Sequence, residues 1–517
     1  LSLVKNANNY LVFFKLFEVS LRIKILFPLL LLFGILVAFL GLNYSHGVNN
    51  FVFSNIINPY DPLDVQTSKP IKKNSLVDDY WKDPRGLFPI FAYNLPEKTN
   101  DLSASLKIIE RSGINIIINS NMGWIVDAKK VKSAFEELKN SNLKWIALIE
   151  NECKDDFIFR NANDETNIKI KDYLEAFNDE NIYGWYLWDE PGNNRKACTP
   201  LNLIPNDDNA DINTMAKQIR SDTLFNKKLD FVNLFPTYWD GTPSTEEYEK
   251  YIDAFIASQE FKPRVLCFDS YPLLKNEYGG FRKDYYSNLE IIRKKSLEYN
   301  IPFWMIVMSS EHDYYKKPTF EEISLQVYSA LAYGAKGIGY YLYARGWETL
   351  GYKSWILEDY VDNLNVADSL HGDLFVLVQK LNKSIQTLGK ILLNLKSTEI
   401  IHTSDYPNKQ EEITQSLFKS NKANSLIKQI LNTGEPDTDS KLLIGIFEEK
   451  NKLNSNGKYL FIVNKDVNAT SNITTTLNGP YNIYKFDKET GEKKFINTNE
   501  NISSKISEGT GELFYIE

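Results

Sequence analysis

Tyr183-Gly184-Trp185-Tyr186-Leu187-Trp188-Asp189-Glu190-Pro191 is a run of apolar and aromatic residues that ends in two acids and a proline. It reads as a buried β-strand with carboxylates at its C-terminal tip. In a barrel of parallel strands, that tip faces the catalytic mouth. The same rhythm extends on both sides from Gly86 onward, with strand-like runs alternating with amphipathic helical stretches. Strands are predicted at 87–93, 114–119, 144–150, 182–189, 229–235, 264–269, 302–308 and 337–343. Helices are predicted between them at 102–112, 128–140, 168–178, 211–224, 245–259, 285–299 and 319–333. Eight such units over ~260 residues match the α/β class and the (β/α)8 TIM barrel in number and size. A doubly wound open sheet is the alternative, but the sequence has no Gly-rich phosphate turn after its first strand.

The barrel is expected to occupy 85–400 as the catalytic domain, with 361–395 supplying a long closing helix. Residues 401–440 read as a polar connecting segment. From Lys441 the texture changes to short strands separated by Asn, Gly and Lys turns, which predicts a small C-terminal β-sandwich over 441–517. At the other end, Ile25 to Leu42 carry no charge. A span of that length crosses a hydrocarbon layer of ~30 Å. Basic residues precede it and none follows until Lys69, which places 1–24 in the cytoplasm and the enzyme body outside. Residues 25–42 are therefore expected to be a transmembrane anchor or signal. Residues 43–84 follow as a linker, and the catalytic domain faces the periplasm or cell surface. Cleavage of a signal peptide would instead release a secreted protein.

The 517 residues are 43% hydrophobic and 24% charged, which fits a folded body of two or three domains. A net charge of −8 argues against nucleic acid as a partner. Aromatics reach 13%, which suits stacking on sugars, although packing explains most such rings. The three cysteines match no zinc motif. Cys153 and Cys198 follow predicted strands three and four and are the candidate pair for a bridge between loops, and Cys267 reads as a core residue. Four scattered histidines suggest no metal site, and no cofactor is implied. Oligomeric state is not legible.

Cleaving a glycosidic bond takes two carboxylates, one giving a proton to the leaving oxygen and one attacking carbon or activating water. Glu190 suits the acid, since burial beside Trp188 would raise its pKa. Asp189 should point the other way by strand alternation. Glu311 is the first acid after predicted strand seven and is the candidate nucleophile. Asp269 and Tyr271 end strand six, where a third carboxylate and a hydrogen-bonding phenol would sit. A turn-capping role is the bland alternative for Asp269. Asn119 and Asn233 end other strands and offer paired hydrogen bonds to sugar hydroxyls. Tyr238, Tyr343 and Trp347 follow strands and are candidate stacking walls, and Trp188 is a candidate substrate contact.

Gly184–Pro191 resembles the strand-four acid/base motif of clan A glycoside hydrolases. Residues 302–343 resemble strands seven and eight of family 42 β-galactosidases, including Leu331-Ala332-Tyr333-Gly334-Ala335-Lys336-Gly337-Ile338. Phe268-Asp269-Ser270-Tyr271-Pro272 is similar to a strand-six Asp-x-Tyr-Pro of related barrels. Phe461-Ile462-Val463-Asn464-Lys465-Asp466 resembles the β-domain that follows them. The resemblance implies a barrel glycoside hydrolase in which Glu190 is the acid/base. It departs from the family pattern at two places. Asp189 stands where an asparagine usually binds the sugar 2-hydroxyl, and Met308-Ser309-Ser310 stands where the nucleophile glutamate usually ends strand seven.

The expected function is a glycoside hydrolase acting on O-glycosyl bonds, retaining if Glu311 is the nucleophile. The rivals are a catalytically inactive barrel that binds glycans and a polysaccharide lyase, for which His312 beside Glu311 would be a base.

Overall fold

The computed structural model describes residues 83–93, 102–118, 136–148, 179–191, 208–238 (except 222 and 224), 245–358 (except 347), 372–403, 426–432, 441–450 and 457–517. The apolar span 25–42, the linker up to residue 82, Asn119, Trp347, Cys153, Cys198 and the helix expected at 168–178 lie outside the described residues. Among the described residues no helix is long and apolar enough to cross a membrane.

Eight strands form a closed parallel barrel: β1 (Ile90–Tyr93), β2 (Ile116–Ile118), β3 (Lys144–Leu148), β4 (Ile182–Asp189), β5 (Leu229–Leu234), β6 (Leu266–Asp269), β7 (Phe303–Met308) and β8 (Ile338–Tyr341). β8 closes on β1 through Ile90↔Ile338 and Ala92↔Tyr340. The helices described around it are α1 (Leu102–Arg111), α2 (Asp208–Ser221), α3 (Thr245–Ser258), α4 (Tyr285–Tyr299), α5 (Phe320–Tyr333) and α6 (Asp373–Leu392).

Strand alternation sorts side chains into two cores. Phe91, Ile116, Ile146, Phe231, Cys267, Trp304 and Ile306 fill the lumen, while Ala92, Ile117, Leu234, Phe268, Met305 and Val307 face the helices. Phe91 meets Phe231 edge-on at 6.1 Å and Trp304 at 5.7 Å, so three rings plug the barrel centre.

α5 begins where Thr319-x-x-Glu322 signals a capping box. The Glu322 N–H donates to Thr319 Oγ1 at 3.3 Å, and the Thr319 N–H donates to Glu322 Oε2 at 3.0 Å. Farther along, the buried Gln326 takes the Met308 N–H at 2.9 Å and donates to the Met308 carbonyl at 3.1 Å. Both backbone groups of the last β7 residue are thereby tied to the helix, and β7 stops there.

After α6 the chain builds one antiparallel sheet of seven strands: β9 (Leu395–His402), β10 (Ile427–Asn432), β11 (Leu442–Glu449), β12 (Lys458–Asn464), β13 (Ser471–Phe486), β14 (Lys493–Ile506) and β15 (Gly511–Ile516). The order is β10-β13-β15-β12-β11-β9, with β14 also pairing β13. This corrects the expected sandwich to a single sheet. Within it, β13 runs unbroken from Ser471 to Phe486 with a shift in register between Thr476 and Tyr481. On one face Ile444, Ile462, Ile473, Ile502 and Phe514 share a core, so the sheet folds over itself. On the other, Phe461 meets Tyr328 of α5 at 5.9 Å, and Leu443 and Phe447 join the barrel's outer core. Barrel and sheet belong to one compact unit.

A polar cluster sits at that junction. Lys465 Nζ lies 3.2 Å from His402 Nδ1, Tyr333 Oη lies 2.9 Å from His402 Nε2, and Tyr286 packs on the imidazole at 4.8 Å. Burial, and then the Lys465 ammonium, hold the His402 pKa well below its usual value. A histidine depressed in the folded state is protonated first in the unfolded chain. Its contribution to stability is therefore present above pH ~6.5 and lost as pH falls below it. The melting temperature is expected to drop between pH 7 and 5, and His402→Asn should flatten that slope; an unchanged slope would assign the acid sensitivity elsewhere.

Candidate active site

The site forms where β4, β5 and β6 end side by side. A β-bulge sets its geometry. β4 pairs with β5 through Tyr186↔Phe231 and Trp188↔Val232, so Leu187 is the extra residue. Strict alternation would put Tyr186 and Trp188 on one face. The bulge separates them: Tyr186 faces the lumen, and Trp188 packs against the helix-side core. Asp189 consequently turns into the mouth, where it accepts from Tyr186 Oη at 2.7 Å. Trp188, expected to contact substrate, packs against the helix-side core.

Asn233 ends β5 and ties two carboxylates together. Its Nδ2 donates to Asp189 Oδ1 and to Asp269 Oδ1, each at 3.0 Å. Two oxygens held at 3.0 Å by one nitrogen cannot be more than 6.0 Å apart. Asp269, the last residue of β6, is only 4% exposed. Burial first, and then the Asp189 charge, push its carboxyl up to about 7, while the Asn233 amide and Tyr271 oppose the shift. Desolvation and a like-charged neighbour both favour the neutral acid.

Tyrosines surround the pair. Tyr271 stacks on Tyr341 at 5.6 Å, and Tyr93 meets Tyr341 at 5.1 Å. Tyr341 shares a 2.6 Å hydrogen bond with the hydroxyl of Tyr352. Burial raises the Tyr271 and Tyr341 phenols well above their usual value, with nearby carboxylates, Asp269 for Tyr271 and Asp189 for Tyr341, adding to it. Both stay protonated at neutral pH, so each can donate a hydrogen bond as well as accept one. Tyr238 completes this side: its hydroxyl accepts the Tyr271 N–H at 2.9 Å, and the Arg282 guanidinium lies 3.6 Å from its ring centre.

Glu190 is the first residue beyond β4. Its φ is +51°, a left-handed conformation that few non-glycine residues adopt, and its N–H donates to the Asn233 carbonyl at 2.8 Å. Its charge is felt at Tyr271, which places it by the mouth. Glu311 is placed differently. β7 ends at Met308, and Ser309 and Ser310 are spent on the Leu342 and Ser354 carbonyls. The Glu311 N–H donates to Ser354 Oγ at 2.9 Å, and its carboxylate lies 4.0 Å from the exposed Lys353. The expected nucleophile thus sits on a loop with Lys353 and Ser354, while Asp189 and Asp269 are the acids that share a donor. Tyr343 is also relocated. It is fully buried in the helix-side core and pairs through its backbone with Leu357, so it does not line the mouth.

Asp189, Asn233, Asp269 and Tyr271 were legible as strand ends. Tyr93, Tyr186 and Tyr341 were missed as site residues. Tyr93 and Tyr341 are the last residues of β1 and β8, a signal available in the sequence. Among the described residues no cluster of His, Cys, Asp and Glu could hold a metal ion.

No family model and no curated protein matches the sequence. Solved structures resemble it in part. A β-galactosidase from Bacillus circulans sp. alkalophilus aligns at 9% identity over 84% of this chain and 99% of its own, with a TM-score of 0.45. A glucosidase from Croceicoccus marinus aligns at 11% identity over 83% and 95%, with a TM-score of 0.40. The endo-β-1,4-mannanase from Thermotoga petrophila aligns at 11% identity over 81% and 97%, with a TM-score of 0.38.

Proposed function

We propose that this chain is a glycoside hydrolase whose acid/base is Asp269 and whose nucleophile is Asp189. The observation that carries the reading is the pair of carboxylates held on one amide at the C-terminal mouth of the barrel, one of them pushed up to about 7. Paired carboxyls with divergent environments are how one site runs acid and base chemistry near neutrality. Asp269 keeps its proton and gives it to the leaving oxygen. Asp189 receives hydrogen bonds from Tyr186 and Asn233, which orient it as the group facing the anomeric carbon. A separation of at most 6.0 Å favours retention, because inverting pairs stand ~6.5–9.5 Å apart. Glu190 lies beside this pair as the third carboxylate and is the rival proton donor. Kinship to family 42 is part of the proposal and rests on the short motifs at the ends of β4 and β6 and the run into β8.

The test is turnover of α- and β-linked nitrophenyl glycosides by the full chain, with the configuration of the first product read by NMR. Turnover with retention is expected. Inversion would reject Asp189 as nucleophile, and no turnover on any sugar would favour a binding protein built on the same barrel.

A further inference from the structure

We propose that the ridge made by the loops after β6 and β7 is a stacking subsite for a carbohydrate chain, so that the substrate is an oligo- or polysaccharide rather than a single sugar unit. This rests on the glycosidase reading of the mouth. The two loops are welded into one small ladder. Leu274 bridges Tyr315 and Leu273 bridges Phe281 in antiparallel fashion. The Lys275 N–H donates to the Tyr314 carbonyl at 3.0 Å, the Lys316 N–H to the Leu273 carbonyl at 3.1 Å, and Lys275 Nζ to the Asp313 carbonyl at 2.6 Å. On this rigid base two tyrosines stand in solvent, Tyr278 at 58% exposure and Tyr314 at 42%. Their rings meet at 6.0 Å and 62°.

The exposed pair is continuous with the mouth. Tyr314 adjoins Tyr315 at 4.5 Å, and Tyr315 meets Tyr271 at 5.6 Å, beside Asp269 and Glu190. Tyr278 thus stands three ring-to-ring steps from Tyr271, of 5.6, 4.5 and 6.0 Å, with the buried Tyr315 fixing the base of Tyr314. A tyrosine face offers apolar area with few rotatable bonds, so little entropy is lost when a pyranose stacks on it. Two rings are far less than the roughly 1,200–2,000 Å² that a stable protein partner needs, which favours a sugar chain as the occupant.

The experiment is affinity gel electrophoresis of the full chain through galactomannan, arabinoxylan, hydroxyethyl cellulose and soluble starch, beside Tyr278→Ala, Tyr314→Ala, the double variant and a Phe495→Ala control on the sheet. At least one polysaccharide should retard the unmutated chain. The double variant should bind it about tenfold more weakly with an unchanged melting temperature, and the control should not differ. Kinetically, the double variant should keep its kcat/KM on a nitrophenyl monoglycoside and show a raised KM on the matching oligosaccharide. Absence of retardation on every polymer, or retardation that survives the double substitution, overturns the ridge. Retardation without any turnover upholds the ridge and rejects the catalytic reading of the mouth.

Discussion

Asparagine in place of Asp269 is expected to lower kcat/KM on a nitrophenyl glycoside by about 10²–10⁴-fold, the usual contribution of a positioned general acid. The loss should shrink on a dinitrophenyl glycoside, whose leaving group departs without a proton. A matching loss in Asp189→Asn should not shrink in this way, since a nucleophile is needed whatever the leaving group. The pH profile gives a second reading. An acid must be protonated to act, so kcat/KM of the unmutated chain should fall as pH rises through about 7, where the Asp269 carboxyl is held. The Asn233 amide opposes that upward shift. Asn233→Ala should therefore move the alkaline limb to higher pH. Glu311→Ala should leave rate and profile nearly unchanged, because Glu311 pairs with Lys353 and Ser354. If the limb survives in Asp269→Asn and vanishes in Glu190→Gln, the proton comes from Glu190 and the assignment fails.

Stability separates lost chemistry from lost structure in the same variant. A carboxyl whose folded pKa is raised contributes stability that is complete below its unfolded value of ~3.9 and is lost as pH rises through the folded value. At pH 8 the ionised Asp269 is a buried charge beside Asp189. Asp269→Asn should accordingly melt no lower than the unmutated chain, and higher above pH 7.

The barrel was legible because its strands are buried on both sides. Each reads as a short apolar run between helical periods, and the predicted positions of β4 and β7 differ from the observed ones by at most one residue. The C-terminal sheet was less legible, for a physical reason. β14 is largely exposed and carries Asn497, Asn499, Asn501 and several charges, so it has the texture of a loop and is held by pairing with β13. The site was half legible. Strand ends identify Asp189, Asn233 and Asp269, but which face a side chain takes depends on the bulge at Leu187, and a one-residue slip inverts every assignment after it. That slip is why Trp188, expected to contact substrate, packs on the helix-side core instead. Glu311 was chosen by proximity along the chain, and it follows β7 only after Gln326 has taken both backbone groups of Met308.

Gly339→Ala is expected to destabilise the barrel by about 1–3 kcal/mol, the range for overpacking a filled core. A Cβ at that position would lie 2.1 Å from Phe91 Cε2 and 2.3 Å from its Cζ. Gly339 does not have a positive φ, so the penalty is steric. Phe91 has little room to retreat, with Phe231 at 6.1 Å and Trp304 at 5.7 Å. The readout is a melting temperature lower by about 1 °C for each kcal/mol, because the unfolding entropy of so large a unit dilutes the shift. Phe91→Leu should lower it too, by leaving a cavity, but the two substitutions together should fall short of their sum by at least ~0.5 kcal/mol, since the smaller side chain vacates the space the methyl needs. Additive losses would mean that the clash is relieved elsewhere. The strain should also reach the chemistry. Phe91 leans on Phe231, Phe231 stacks on Tyr186 at 5.1 Å, and Tyr186 holds Asp189 by a 2.7 Å hydrogen bond. A barrel plug displaced at Gly339 therefore shifts the nucleophile's support, and kcat should fall in Gly339→Ala at temperatures where the protein is still folded, with recovery in the double variant.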